Sequence, residues 1–272
     1  MTDEITPATS DEHQHVRMNP RAYLEQFYTG VVDPGNRALL AFYARIYADL
    51  KGKSMLEFGG GPTIYSLITA AQTARMIHFC DANPDCLKEI KDWLAGDPAS
   101  FNWTHFIAYA LSCENNNQEQ ISSEAIQIRE QLIRQCIQTL SLCDIFAADP
   151  LLGSSLGPYD IVANTFCLDS IVDAMADWIH LNHKLAQFVA PDGLFVTAYL
   201  LRASHWTTKG VTFPAVTLIP ADVDKLYADL GFTITERHVV ELENKKGYDG
   251  FIMTCGKRNL PSANKHLPLD YP

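Results

Sequence analysis

Long apolar runs are missing from this sequence. No stretch reaches the ~18 to 20 residues that span a bilayer, so a transmembrane helix is excluded. The opening segment, MTDEITPATSDEHQH, is acidic and polar where a secretory leader is basic and then apolar, and the expected location is the cytoplasm. Positive charge is also scarce. Lys and Arg number 21 against 32 Asp and Glu, a formal charge of −11. Nucleic acid and anionic membrane surfaces are therefore not expected partners, because affinity for polyanions rests on basic side chains neutralising phosphates. Metal-binding spacings are absent too. The seven cysteines form no CxxC pair, and of the nine histidines only His13 and His15 stand at HxH spacing and none at HxxxH. Reduced core thiols and no metal are expected.

What is present is enough apolar material for a full core: 47% of 272 residues. Polar residues 1–17 and the proline-bearing end 259–272 read as loosely draped tails around a single folded body, 18–258. Short apolar runs alternate there with segments of helical period, the pattern of βα units in an α/β fold with a largely parallel sheet. The runs predict seven strands, at 54–58, 75–80, 142–147, 160–166, 193–200, 232–240 and 250–255. Helices are predicted at 20–28, 35–49, 63–73, 84–95, 119–140, 171–189 and 220–230.

The strongest local signal is MLEFGGGPTIYSL, in which an apolar strand breaks into Gly59, Gly60 and Gly61 and restarts at Pro62. Consecutive glycines allow a sharp turn and a close approach by a ligand. A dinucleotide fingerprint needs glycine at position 64, where Ile64 stands, and a phosphate-binding P-loop needs a lysine that is missing. The next apolar strand ends at Asp81. An acid at that place in a doubly wound sheet either accepts hydrogen bonds from ribose hydroxyls or caps the following helix; the glycine loop upstream favours ribose.

The loop, with Glu57, Gly59 and Gly61 at its pattern positions, resembles the E/D-x-G-x-G loop of S-adenosylmethionine-dependent methyltransferases, although Thr63 replaces the third glycine of the longer form. Together with NPRAYLEQFY (19–28), DWLAGDPASFNW (92–103) and NTFCLDS (164–170), it resembles the nicotinamide, phenylethanolamine, indolethylamine and thioether methyltransferases over about 18–258. That resemblance implies a doubly wound, mostly parallel, seven-stranded Rossmann-like sheet with a helical lid at 18–50. It implies S-adenosyl-L-methionine as cofactor and S-adenosyl-L-homocysteine as product. Tyr23 and Tyr28 would close over the cofactor, and Gly59, Gly60, Gly61, Thr63 and Tyr65 would surround its methionine portion. Asp81 would take the ribose, Asp144 and Ile145 the adenine, and Thr165 the sulfonium end. Cys86 stands where the family commonly has asparagine.

The resemblance also sets expectations for the methyl acceptor. The acid that holds the amide in the nicotinamide enzymes corresponds to Tyr199, and the assisting serines correspond to Ala203 and Ala215, so nicotinamide is not the expected substrate. Phe166, Tyr199 and Trp206 are read as aromatic walls, with Asp169 or Asp249 as a carboxylate for an amine or guanidinium. The expected activity is N-methylation of a small amine or guanidine-type metabolite by a monomer through in-line displacement, with no nucleophilic residue required. Thioether S-methylation and a catalytically silent cofactor-binding scaffold are the alternatives.

Overall fold

The computed structural model describes residues 18–49, 51–115, 120–243 and 247–259. Tails 1–17 and 260–272 lie outside the described residues, as does most of the polar stretch after 115. Three helices begin in the same way: α1 (Pro20–Tyr28), α2 (Pro34–Ile46) and α3 (Pro84–Leu94). In each, an Asn or Asp N-cap (Asn19, Asp33, Asn83) accepts a backbone N–H of the first turn, and a proline follows where no N–H is needed.

The strands β1 (Ser54–Phe58), β2 (Met76–Asp81), β3 (Ile137–Leu142), β4 (Tyr159–Thr165), β5 (Val189–Leu201), β8 (Phe232–Glu241) and β9 (Gly250–Arg258) form one seven-stranded sheet. Its order is β3-β2-β1-β4-β5-β9-β8. Pairings are parallel from β3 to β5, and β9 runs antiparallel to both neighbours. The order reverses between β1 and β4, and a crevice at the carboxyl ends of those strands is where such sheets bind ligands. On one side of the sheet lie α2, α3, α4 (Thr104–Glu114) and α5 (Ser123–Cys136), with α1 against α3; on the other lie α6 (Met175–Ala186) and α7 (Pro220–Asp229). A separate hairpin, β6 (His205–Thr208) with β7 (Val211–Pro214), lies outside the sheet. Among the described residues no helix is long and apolar enough to cross a membrane. All seven cysteines are free.

Three expectations are corrected. The strand placed at 142–147 is β3 at 137–142, and 143–147 is a turn. The helix placed at 119–140 ends at Cys136, where Ile137 swings to ψ 93° and starts β3 directly. Hydrophobic period changes there from 3.6 to 2 with no glycine or proline to mark it. The helix placed at 63–73 is only two 3₁₀ turns, Tyr65–Leu67 and Ala70–Gln72. Threonine hydroxyls compete for the backbone there: Thr63 Oγ1 donates to Gly60 O at 2.8 Å and Thr73 Oγ1 to Tyr47 O at 3.2 Å. Helix α4 and the β6–β7 hairpin have no counterpart in the sequence reading.

Candidate functional site

The glycine loop follows β1 directly. Gly59 and Gly60 donate their N–H groups to Cys80 O at 2.9 and 3.3 Å, which folds the loop back over the end of β2. Gly59 (φ +67°) and Gly61 (φ +61°) occupy the left-handed region. A Cβ on Gly59 would overlap the Cys167 side chain and one on Gly60 the Phe79 ring, whereas one on Gly61 would meet nothing. The loop is therefore packed tight beneath and open above. Asp81 ties it to the next crossover: Oδ2 accepts Gly61 N–H and Oδ1 accepts Asn83 N–H, both at 2.8 Å. Burial raises the Asp81 pKa, and the two amides work against that shift. The Cys86 thiol opposes it as well, and the carboxylate keeps lone-pair capacity for a further donor. Replacing Asp81 with Asn is expected to weaken S-adenosylhomocysteine binding by about 1 to 3 kcal/mol in calorimetric titration. An unchanged affinity in a folded variant would remove Asp81 from the site.

Glu57 lies under the loop, not in it. It is 1% exposed, its Oε1 accepts the Ser66 hydroxyl at 2.9 Å, and its Oε2 has no partner among the described residues. Burial pushes its pKa up to about 7, with the Ser66 bond opposing. The folded chain thus holds this proton more tightly than the unfolded one. Its stabilising effect is complete below about pH 4.5 and is lost as pH rises through about 7. At about 1.4 kcal/mol per unit, the loss approaches ~3 kcal/mol. Comparing urea denaturation of wild type and Glu57→Gln at pH 5 and pH 9, the variant is expected to gain on wild type by roughly 2 to 3 kcal/mol at the higher pH. Asp169, also raised to about 7 by burial, titrates in both proteins and cancels. A gap that does not change with pH would refute the buried, protonated Glu57.

Above the loop opens a cavity of about 1920 Å³, roughly twice the upper end of the ~300 to 1,000 Å³ usual for one small ligand. The walls include Gly59, Gly60, Gly61, Thr63, Tyr65 and Asp81 on one side of the sheet order reversal. They also include Asp144, Ile145 and Thr165, and Tyr23 and Tyr28 close the space from α1. Every residue expected around the cofactor is thus brought to one cavity. Tyr28 stacks on Tyr65 (centroids 5.3 Å), and its hydroxyl lies 3.2 Å from that of Tyr23. The turn 143–147 is pinned by Lys184 of α6, which donates to Ile145 O and Ala147 O at 2.6 Å. Thr165 Oγ1 meets Tyr43 OH at 2.5 Å. Five carboxylates line the cavity (Asp33, Asp81, Asp144, Glu241, Glu243), and among the described residues no Lys, Arg or His does.

The acceptor residues divide. Phe166 and Trp206 are on the wall. Phe166 stands at φ +52°, unusual for a bulky side chain, with its N–H bonded to Ala198 O at 2.8 Å. Tyr199 is not on the wall. Strand alternation sends Ala198 and Leu200 to the cavity face of the sheet and Tyr199 to the other, where its hydroxyl donates to Asn182 Oδ1 at 2.6 Å. Asp249 is also outside, paired with Arg202 at 2.7 Å. Asp169 is fully buried behind the wall; Oδ2 accepts Leu200 N–H at 2.7 Å, and Oδ1 has no partner among the described residues. Its charge is felt by Tyr23 and Cys167, both on the wall. It caps no helix, since α6 starts only at Met175. Sequence reasoning missed Phe213, Tyr248 and Phe251, which share the cavity wall with Phe166 and Trp206. Phe213 stacks on Trp206 (centroids 4.2 Å, planes 14° apart), and Phe251 packs against Phe166 at 4.5 Å. The signal available was strand parity: in β9, Phe251 falls on the cavity face.

Comparison with known proteins bears on the family and the fold. The model of the NNMT/PNMT/TEMT family matches residues 6–256. Human nicotinamide N-methyltransferase is 26% identical over 233 residues, covering 83% of this chain and 86% of the relative. Indolethylamine N-methyltransferase of Mus musculus is 25% identical over 215 residues, 78% of this chain and 79% of the relative. Magnesium protoporphyrin IX methyltransferase from Synechocystis PCC 6803, crystallised with bound S-adenosylmethionine, shares the fold with a TM-score of 0.52 at 14% identity, covering 88% of this chain and 90% of that one.

Proposed function

Because the chain belongs to the NNMT/PNMT/TEMT family of S-adenosylmethionine-dependent methyltransferases, we propose that it methylates nitrogen on a small cationic amine or guanidine-type acceptor. The observation that carries this reading is the one-signed cavity. Among the described residues its charged walls are carboxylates, of which Glu241 is paired with Arg202, its other walls include many aromatic side chains, and it is large enough for two ligands side by side. Such a lining suits cations and disfavours acceptors bearing a carboxylate or phosphate.

The donor set fits the cofactor. Asp81 has lone pairs for a diol, the bare edge of Gly61 leaves room for close approach, and Ile145 offers an apolar surface for a base. When bound, the cofactor supplies a methyl group on positively charged sulfur. The chain's own residues need only align and exclude. Tyr23, Tyr28 and Tyr65 remove water from the cofactor end, and Phe166, Trp206 and Phe213 set the plane of the acceptor. An ammonium has no lone pair and must lose a proton before transfer. Asp169, changing charge near pH 7 behind the wall, makes the acceptor end more negative as pH rises.

The test is incubation with methyl-labelled S-adenosylmethionine and a panel of amines, guanidines, thioethers and amino acids, read by mass spectrometry. Labelled nitrogen on an amine or guanidine, with the corresponding amino acid a poorer acceptor, is the expected result. Preferred labelling of a thioether would move the assignment to sulfur. Cofactor binding without transfer to any member of the panel would favour the scaffold.

A further inference from the structure

Helix α1 is fastened at both ends, and the two fastenings serve different halves of the cavity. At its start, Asn83 Nδ2 donates to Met18 O at 3.1 Å, and Arg21 Nη2 reaches Ala99 O and Glu89 Oε2, both at 2.9 Å. Asn83 is the residue whose N–H holds Asp81. At the far end, Gln26 Nε2 donates to Thr207 O at 3.0 Å, and Gln26 Oε1 accepts Lys209 N–H at 3.1 Å. Those two backbone groups belong to the β6–β7 hairpin, at its tip.

That hairpin needs outside support. Its strands pair only with each other, and an isolated two-stranded ribbon is marginal in water. Its tight turn passes through Lys209 and Gly210, both at positive φ (46° and 80°). Yet it carries Trp206 and Phe213, the stacked pair on the acceptor side, and Trp206 lies edge-on to Tyr23 with centroids 6.0 Å apart. Trp206 Nε1 donates to Ser170 O at 3.1 Å. The Glu25–Lys209 ion pair, 3.6 Å between exposed side chains, adds little.

We propose that Gln26 is a positioning residue that joins α1 and the hairpin into one cover, so that ordering of α1 by the cofactor also sets the acceptor wall. This inference rests on the cofactor reading. Gln26 is exposed, so its loss leaves the core intact.

Hydrogen exchange with and without saturating S-adenosylhomocysteine tests it, alongside calorimetric titration. In the wild type the ligand is expected to slow exchange at 59–65, 20–28 and 205–214 by at least ~10-fold. In Gln26→Ala the affinity stays within about threefold and 59–65 and 20–28 remain protected, while 205–214 exchanges as in the free protein. Glu25→Gln, which removes only the ion pair, should behave as wild type. A hairpin unprotected in the wild type, or protected equally in Gln26→Ala, overturns the coupling. Absence of ligand heat and of protection at 59–65 would instead sink the cofactor reading.

Discussion

Substituting Gly59 with alanine is expected to cost at least ~100-fold in S-adenosylhomocysteine affinity, the largest binding effect of any single change. Two costs meet at this residue. Its φ of +67° is strained for a residue with a Cβ, by roughly 1 to 2 kcal/mol. The new methyl would also overlap Cys167 Sγ, with Cys167 Cβ only 2.9 Å away, and overpacking of that kind costs about 1 to 3 kcal/mol. The loop can relieve this by abandoning its bonds to Cys80 O, but then Gly61 leaves Asp81 and the floor of the cavity is lost. If the relaxed loop is favoured by about 3 kcal/mol, only about one molecule in a hundred is competent to bind. If the fold bears the strain instead, urea denaturation shows the same few kcal/mol as lost stability. A variant with both stability and affinity near wild type would mean that the loop geometry is not what receives the cofactor.

The largest stability effect is expected from Glu114→Ala. Arg129 on α5 is 4% exposed, and its guanidinium meets both carboxylate oxygens of Glu114 on α4 at 2.7 Å. It also donates to Ile68 O at 2.9 Å and Gln72 Oε1 at 3.1 Å, so one buried cation braces the turns that follow the glycine loop. Removing Glu114 leaves that charge buried without its counter-ion, a loss of about 3 to 5 kcal/mol against a total stability of roughly 5 to 15. Replacing both partners with Met is expected to recover most of it, because the desolvation penalty disappears along with the attraction. A single-variant loss under ~1 kcal/mol in urea denaturation would show that the pair is solvated and does not brace the turns.

The sequence exposed the features that rest on local chemistry. The starts of α1, α2 and α3 were read to within a residue, next to Asn-Pro and Asp-Pro entries, and the three glycines after an apolar run located the loop. The residues that the family resemblance assigns to the cofactor all line one cavity, because the loop, the strand-end acid and the two tyrosines lie at the carboxyl edge of the sheet or over it. Features set by tertiary packing stayed hidden. The join from α5 to β3 has no punctuation, and the segment after the glycine loop is buried on every side, so periodicity there reports burial and not helix. The acceptor wall was hard for a different reason. The family resemblance carried Tyr199 to a pocket position, but strand parity sends it to the far face, while Tyr248 and Phe251 reach the cavity from the distant end of the chain.

The placement of β9 has a consequence for synthesis on the ribosome. It follows every other strand in the chain, yet it sits inside the sheet between β5 and β8. Until Gly250–Arg258 emerges, β5 carries an open rim from Val196 to Leu201 made wholly of buried side chains. Nascent or prematurely terminated chains ending before Gly250 would present that rim to one another, and they should precipitate or occupy chaperones even though the glycine loop is already complete.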